Sequence, residues 1–269
     1  MMPKQKHTPE SERTYEELYK RWIDFTKIYK VPNDGVRSVS QFIKVIENRE
    51  YAPKVSPKIE NFVYRGESQT YTTFLQPIIA RNANQFSPYT SGKNITTKEV
   101  EFIRQFQKSE YAKPYLKELS RNEADWALLA QHYRSPTRLL DATKNALVAL
   151  YFACEKDSDK DGWVFYFDRK SLRPRVDIPR TFLELYENTP EHTPCLLELE
   201  ELPPERWVVL KRIIAQSSVF IWWHPFTEQV LSARNRQFPI LVNNDAKNQI
   251  KRDLDRIFDI NKESLFPPD

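Results

Sequence analysis

The apolar positions change their period along the chain. Across residues 10–30, Leu18, Trp22 and Phe25 recur at helical spacing on a charged background, and Pro32-Asn33-Asp34-Gly35 stops the segment. An amphipathic helix is predicted there. A second helix is expected behind a serine cap, with Phe42, Val45 and Ile46 facing inward and Pro53 ending the region. Asn61-Phe62-Val63-Tyr64 reads as a β-strand that stops at Arg65-Gly66, where a lone glycine marks a tight turn or a close approach of backbone. Residues 82–98 are polar and contain Pro88 and Gly92, which predicts a mobile loop.

The next block is the most informative. Ser120 and Glu123 form a capping box that opens a helix ended by Pro136. Trp126, Leu129, Ala130 and Tyr133 share one face of it, with His132 at the border. Thr137 to Leu140 reads as a short extended segment and Asp141 as the N-cap of a helix over about Lys144 to Glu155. That helix is apolar nearly all round, which places it at the centre of the domain and makes the Arg138, Asp141 and Thr143 group rigid. Strands are then expected at Trp163–Phe167, Cys195–Leu199, Trp207–Ala215, Val219–Trp223 and Gln237–Val242. Asp245 is read as the cap of a closing helix carrying Ile250, Leu254, Ile257 and Phe258. Helices gather in the first half and strands in the second, without β-α-β alternation. The expected fold is α+β with a largely antiparallel sheet.

Composition narrows the chemistry. Of 269 residues only four are glycine (Gly35, Gly66, Gly92 and Gly162), and no two lie within twenty residues of each other. That excludes the glycine-rich phosphate loops of dinucleotide-binding folds and P-loop enzymes. With 41 basic and 37 acidic residues the net charge is +4, so a phosphate-bearing partner is allowed but not demanded. Cys154 and Cys195 give no disulfide framework, and the N-terminus is polar, so a cytoplasmic protein without a membrane partner is expected. His7, His132, His192 and His224 are scattered and no metal site is expected. No G-x-S-x-G elbow is present, and Cys154, inside the apolar helix, reads as inert core.

What remains is a set of polar residues within apolar segments. Each has a structural alternative. Taken singly, each favours that alternative: Arg65 as a solvated strand end, His132 as a core histidine, Arg138 and Asp141 as an internal ion pair, and Gln216 as a backbone partner. From the residues alone, the chain is an α+β domain with a candidate anion site.

Five segments together resemble the FRG domain, a family named for its Phe-Arg-Gly motif. They are Phe62-Val63-Tyr64-Arg65-Gly66-Glu67; Leu129-Ala130-Gln131-His132-Tyr133 with Pro136-Thr137-Arg138-Leu139-Leu140-Asp141-Ala142-Thr143; Asn145 to Ala153; Arg212-Ile213-Ile214-Ala215-Gln216 with Phe220; and Leu265-Phe266-Pro267. Their order and spacing fit over residues 36–269, leaving 1–35 as an N-terminal helical extension. Tyr64 replaces the family's phenylalanine, Ala142 its usual tryptophan, Ala146 a common proline and Ser218 a glycine.

The resemblance implies that Arg65, His132, Arg138, Asp141, Thr143 and Gln216 belong to one site. The activity expected first is that of a nucleotide-using transferase similar to the ADP-ribosyltransferases, whose split antiparallel sheet presents an arginine, a hydroxyl-rich strand and a Gln-x-Glu segment in comparable order. On that reading Arg65, His132, Asp141 and Gln216 are catalytic. Tyr64, Arg65, Gly66, Tyr133, Thr137, Arg138 and Thr143 bind NAD as substrate, with the two arginines on the pyrophosphate and Tyr133 stacked on nicotinamide. A protein or nucleic acid is the acceptor, and family context suggests a bacterial toxin or anti-phage effector. The rival is a non-catalytic module that binds nucleic acid or a nucleotide, with Trp222 and Trp223 stacking on bases. A third reading makes His132 the general base of a phosphodiesterase.

Overall fold

The computed structural model describes residues 9–29, 33–50, 62–71, 75, 77–81, 92–116, 123–156, 158–169, 172–174, 195–198, 211–222 and 239–268. Two amphipathic helices come first, α1 (Pro9–Tyr29) and α2 (Val39–Glu50). Leu18 and Trp22 of α1 and Phe42 and Val45 of α2 are buried in the main core. Helix α2 starts where expected, with the Ser38 hydroxyl accepting from the Gln41 N–H at 3.1 Å. The segment 9–29, placed outside the family resemblance, packs into that same core. The Tyr15 hydroxyl donates to buried Asp161 Oδ2 at 2.9 Å, and its ring meets Trp163 edge-on. Burial first, then the Asp161 charge, raises the Tyr15 phenol above its ordinary range.

The sheet is assembled from strands distant in sequence. These are β1 (Phe62–Glu67), β2 (Leu139–Thr143), β3 (Gly162–Asp168), β4 (Arg173–Pro174), β5 (Cys195–Glu198), β6 (Ser218–Trp222) and β7 (Ile240–Val242). They pair in the order β4-β5-β6-β2-β1-β3-β7, and all pairings are antiparallel except β4 with β5. The fold is α+β and largely antiparallel. The ladders are uneven. Strand β1 pairs with β3 along its whole length, and β2 pairs with β6 from Leu139↔Trp222 to Thr143↔Ser218. Between β1 and β2 the ladder holds a single residue pair, Tyr64↔Thr143.

Further helices are α3 (Ile78–Arg81), α4 (Gly92–Gln107), α5 (Glu123–His132), α6 (Ala146–Cys154), α7 (Lys211–Ala215), α8 (Lys247–Phe258) and α9 (Lys262–Leu265). As its composition predicts, α6 is central: Val148 to Tyr151, Ala153 and Cys154 are buried. It lies on the sheet at backbone contact distance. A Cβ on Gly66 would sit 1.9 Å from the Ala149 carbonyl oxygen, and one on Gly162 would sit 2.2 Å from that of Ala153. Only glycine lets two backbones approach so closely. Burial pushes the Cys154 thiol up to about 12, against the opposing pull of the Lys247 charge. Lys247 is itself buried and its ammonium donates to the carbonyls of Ser68 and Lys156 at 2.5 and 3.2 Å, tying α8 to the ends of β1 and α6.

Several expectations are corrected. Of the two readings of Gly66, the close approach of backbone holds, against α6 and inside β1, and the tight turn does not. Residues 92–98 begin helix α4; the part of the expected loop at 82–91 lies outside the described residues. Asp141 is the third residue of β2, held there by its pairing with Phe220. The cap of α6 is Asn145, whose side chain accepts from the Leu147 N–H at 2.9 Å. Residues 211–215, read as strand, form a short helix before β6, so Gln216 sits in a turn. Asp245 lies within a 3-10 turn (Asn244–Ala246) capped by Asn243, and α8 follows it. The capping box of Ser120, the strand at 207–210, and the side chain of Phe25 lie outside the described residues.

Candidate functional site

The seam between β1 and β2 carries the exposed chemistry. Because Gly66 faces α6, Arg65, one residue earlier, projects from the opposite side of the sheet. Alternation puts Glu67 on the same side as Arg65. On β2, Leu140 and Ala142 join the cluster that contains α6, whereas Leu139 packs with Phe220, Trp222 and the α5 residues Trp126 and Leu129. Asp141 therefore projects on the side away from α6, as Arg65 does. The two meet where the ladder has opened.

Arg65 is held from two directions. Its Nε donates to Glu67 Oε1 at 3.0 Å and its Nη1 donates to the Asp141 carbonyl oxygen at 2.7 Å. The same Glu67 oxygen accepts from the Leu75 N–H at 3.4 Å, so a buried carboxylate fixes the guanidinium. The Arg65 side chain keeps 16% of its surface in solvent, against 1% for Glu67. Such an arginine is rigid, charged and still reachable. The Asp141 carboxylate beside it is exposed, and its Oδ2 accepts from Gln131 Nε2 at 3.0 Å. Gln131 Oε1 in turn accepts from the buried hydroxyl of Thr137.

The other expected site residues are distributed elsewhere. Arg138, expected on a pyrophosphate, is 1% exposed and paired with Glu99 at 0%. Glu99 takes both the Arg138 backbone N–H, at 2.8 Å, and its side-chain Nε. The Arg138 guanidinium also lies 4.9 Å from the ring centroid of buried Trp222. Neither side chain is open to a ligand; Trp223 lies outside the described residues. The internal ion pair of Arg138 is thus with Glu99, 39 residues away, and not with Asp141.

Tyr133, expected to stack on nicotinamide, stacks instead on Phe106 and Tyr111 at 5.5 and 5.1 Å. His132 closes α5 edge-on against Tyr133 at 5.0 Å. Tyr64 is buried beside Tyr166, and Gly66 is covered by α6. Thr143 donates its hydroxyl to the Gln216 carbonyl at 2.7 Å and accepts from the Asn145 N–H at 3.0 Å, shaping the entry to α6. Gln216 sends its side-chain amide to the Leu265 carbonyl at 2.9 Å. That bond docks α9, and the guanidinium of Arg212 sits 4.6 Å from the Phe266 ring centroid nearby.

Of the expected residues the structure brings together Arg65 and Asp141, with Thr137 behind them, and separately joins Thr143 to Gln216. Glu67 and Gln131 were not anticipated. Glu67 was legible from the two-residue period of β1, and Gln131 from its place beside His132. Among the described residues no cluster of three His, Cys, Asp or Glu could hold a metal ion, and no helix is long and apolar enough to cross a membrane.

Residues 60–162 match the family model described as FRG domain. This chain carries an FRG domain. The matched stretch runs from just before β1 to the first residue of β3, so it contains Arg65, Glu67, Gln131, Thr137 and Asp141, and Gln216 lies outside the matched residues. No curated protein and no solved structure matches the chain.

Proposed function

We propose that this FRG domain protein is a nucleotide-using transferase of the ADP-ribosyltransferase kind, taking NAD as substrate at the seam between β1 and β2. The observation that carries the reading is the placement of Arg65. It stands on a strand that neighbours β2, which neighbours β6, in a sheet whose ladder opens at that point. Three segments of the expected order, the Arg65 strand, the strand that follows Thr137 and the strand that follows Gln216, lie side by side, which supports the reading. A pre-held guanidinium with remaining donors facing solvent suits a pyrophosphate oxygen.

Asp141 supplies the carboxylate that Gln216 lacks. An exposed negative charge next to the phosphate anchor would stabilise the oxocarbenium-like centre as nicotinamide leaves. Arg138, His132 and Tyr133 have no part in this version of the site. Activity as a toxin or anti-phage effector in the cytoplasm belongs to the same proposal and rests on family context alone.

The test is incubation of the full chain with labelled NAD and cell extract, scoring nicotinamide release and label transfer to protein or nucleic acid. Release that disappears in Arg65→Ala, with the melting temperature within a few degrees of the parent, supports the reading. No turnover, together with salt-dependent RNA or DNA binding, replaces it with the non-catalytic module.

A further inference from the structure

We infer that Gln131 is a positioning residue, the middle member of a directed chain Leu139–Thr137–Gln131–Asp141 that aims the Asp141 carboxylate. This deepens the reading above and rests on it for its catalytic meaning. The direction of the chain follows from hydrogen-bond chemistry. The Leu139 backbone N–H can only donate, and it points at Thr137 Oγ1 at 3.3 Å. The Thr137 hydroxyl accepts there and is left to donate its own proton, which goes to Gln131 Oε1 at 2.5 Å. A hydroxyl can accept twice, so it is the Asp141 carboxylate, an acceptor only, that fixes the NH2 end of Gln131 and leaves Oε1 to take the Thr137 proton. The NH2 end then faces Asp141 Oδ2 at 3.0 Å, where a carboxylate can only accept.

The chain runs from the interior to the surface. Thr137 is fully buried, Gln131 nearly so, and Asp141 exposed. One oxygen of Asp141 is thereby pinned while the carboxylate remains open to solvent. Its backbone is pinned as well, since Arg65 donates to the Asp141 carbonyl. A neutral amide is the right donor for this task. An arginine or lysine at position 131 would hold the carboxylate equally well but would cancel the charge that a developing cation needs. Position 131 therefore fixes geometry without altering charge.

The experiment uses the full chain with NAD as the probe and three variants, Gln131→Met, Thr137→Val and Thr137→Ser. Nicotinamide release should lose about tenfold to a hundredfold in kcat in Gln131→Met and Thr137→Val, with KM changed less than about twofold, because the phosphate anchor is untouched. Thr137→Ser keeps the hydroxyl and should restore most of the rate. Parallel loss of kcat, KM and melting temperature in all three would make the chain merely structural and overturn the inference. Side-chain amide NMR gives a readout that needs no turnover. Thr137→Val and Asp141→Ala should each move the Gln131 NH2 resonances and speed their exchange with solvent, and Thr137→Ser should not. If wild type releases no nicotinamide, the NAD reading falls alone; unchanged Gln131 resonances in Thr137→Val would sink the positioning chain.

Discussion

Replacing Gly66 with alanine separates the two reasons a glycine can follow Arg65. If the glycine admits a ligand, alanine weakens binding and leaves the fold intact. If it admits helix α6, alanine damages the fold. The added methyl carbon would lie 1.9 Å from the Ala149 oxygen and 2.7 Å from the Ala153 nitrogen. Both are backbone atoms, so no side-chain rotation relieves the clash and Ala149→Gly cannot rescue it. The helix must recede from β1 and forfeit packing along Val148, Ala149 and Ala153. Overpacking of this kind costs about 3 kcal/mol when backbone has to move. For a chain of this size that is roughly 6–12 °C in melting temperature. Thermal unfolding followed by circular dichroism, with a urea titration for the free energy, measures it. A Gly66→Ala protein that melts within a degree of the parent would refute the packing argument and return Gly66 to the ligand.

Other expected outcomes follow from single contacts. Glu99→Ala takes the buried carboxylate from Arg138 and should destabilise by about 3–5 kcal/mol; the pair replacement Glu99→Leu with Arg138→Met should recover most of this in a double-mutant cycle. Asn145→Ala removes the cap of α6 and should cost about 1 kcal/mol by urea unfolding. Arg134, exposed at a backbone φ of 62°, follows α5 with its N–H on the Gln131 carbonyl, so Arg134→Gly should raise stability by about 0.5–1 kcal/mol in the same titration. Cys154 and Tyr15 both hold their protons more tightly folded than unfolded. Between the ordinary thiol value of 9.0 and about 12 the unfolded chain loses a proton that the folded chain keeps, so stability should fall as pH rises through that window. Melting temperatures from pH 8 to 11 that stay flat would contradict the burial of both groups.

The parts legible in the sequence were those with one dominant pattern. Phe62–Tyr64 of β1 and Trp163–Phe167 of β3 are continuous aromatic and aliphatic runs, and α6 is apolar on every face, so their existence and depth follow from side chains alone. The run Trp207–Ala215 misleads because its valines and isoleucines favour extended backbone. At Lys211–Ala215 a short helix is formed instead, with Ile213 inward and Ile214 outward. The cap of α6 was read as Asp141, a residue type that bonds helix N-termini, whereas Asn145 takes that role. Pairing of β2 with β6 draws Asp141 into the strand instead. The Glu99–Arg138 pair had no local signal at all, because it joins α4 to the entry of β2 across 39 residues. In the candidate site, Arg65 and Asp141 were legible as polar residues in apolar surroundings. That same signal also marked Arg138 and Gln216, which satisfy their polarity internally.

The opened ladder has a thermodynamic consequence. It divides the sheet into a panel of four strands, β4-β5-β6-β2, and a panel of three, β1-β3-β7, joined in the ladder by one residue pair. The Arg65 bond to the Asp141 carbonyl is a second fastener across the same joint. An anion that draws the guanidinium off that carbonyl loosens the joint, and its affinity is lowered by whatever the fastener contributed. By reciprocity, any contact that tightens the two panels weakens the anion. An anion on Arg65 and the contact between the two panels are then coupled through one guanidinium.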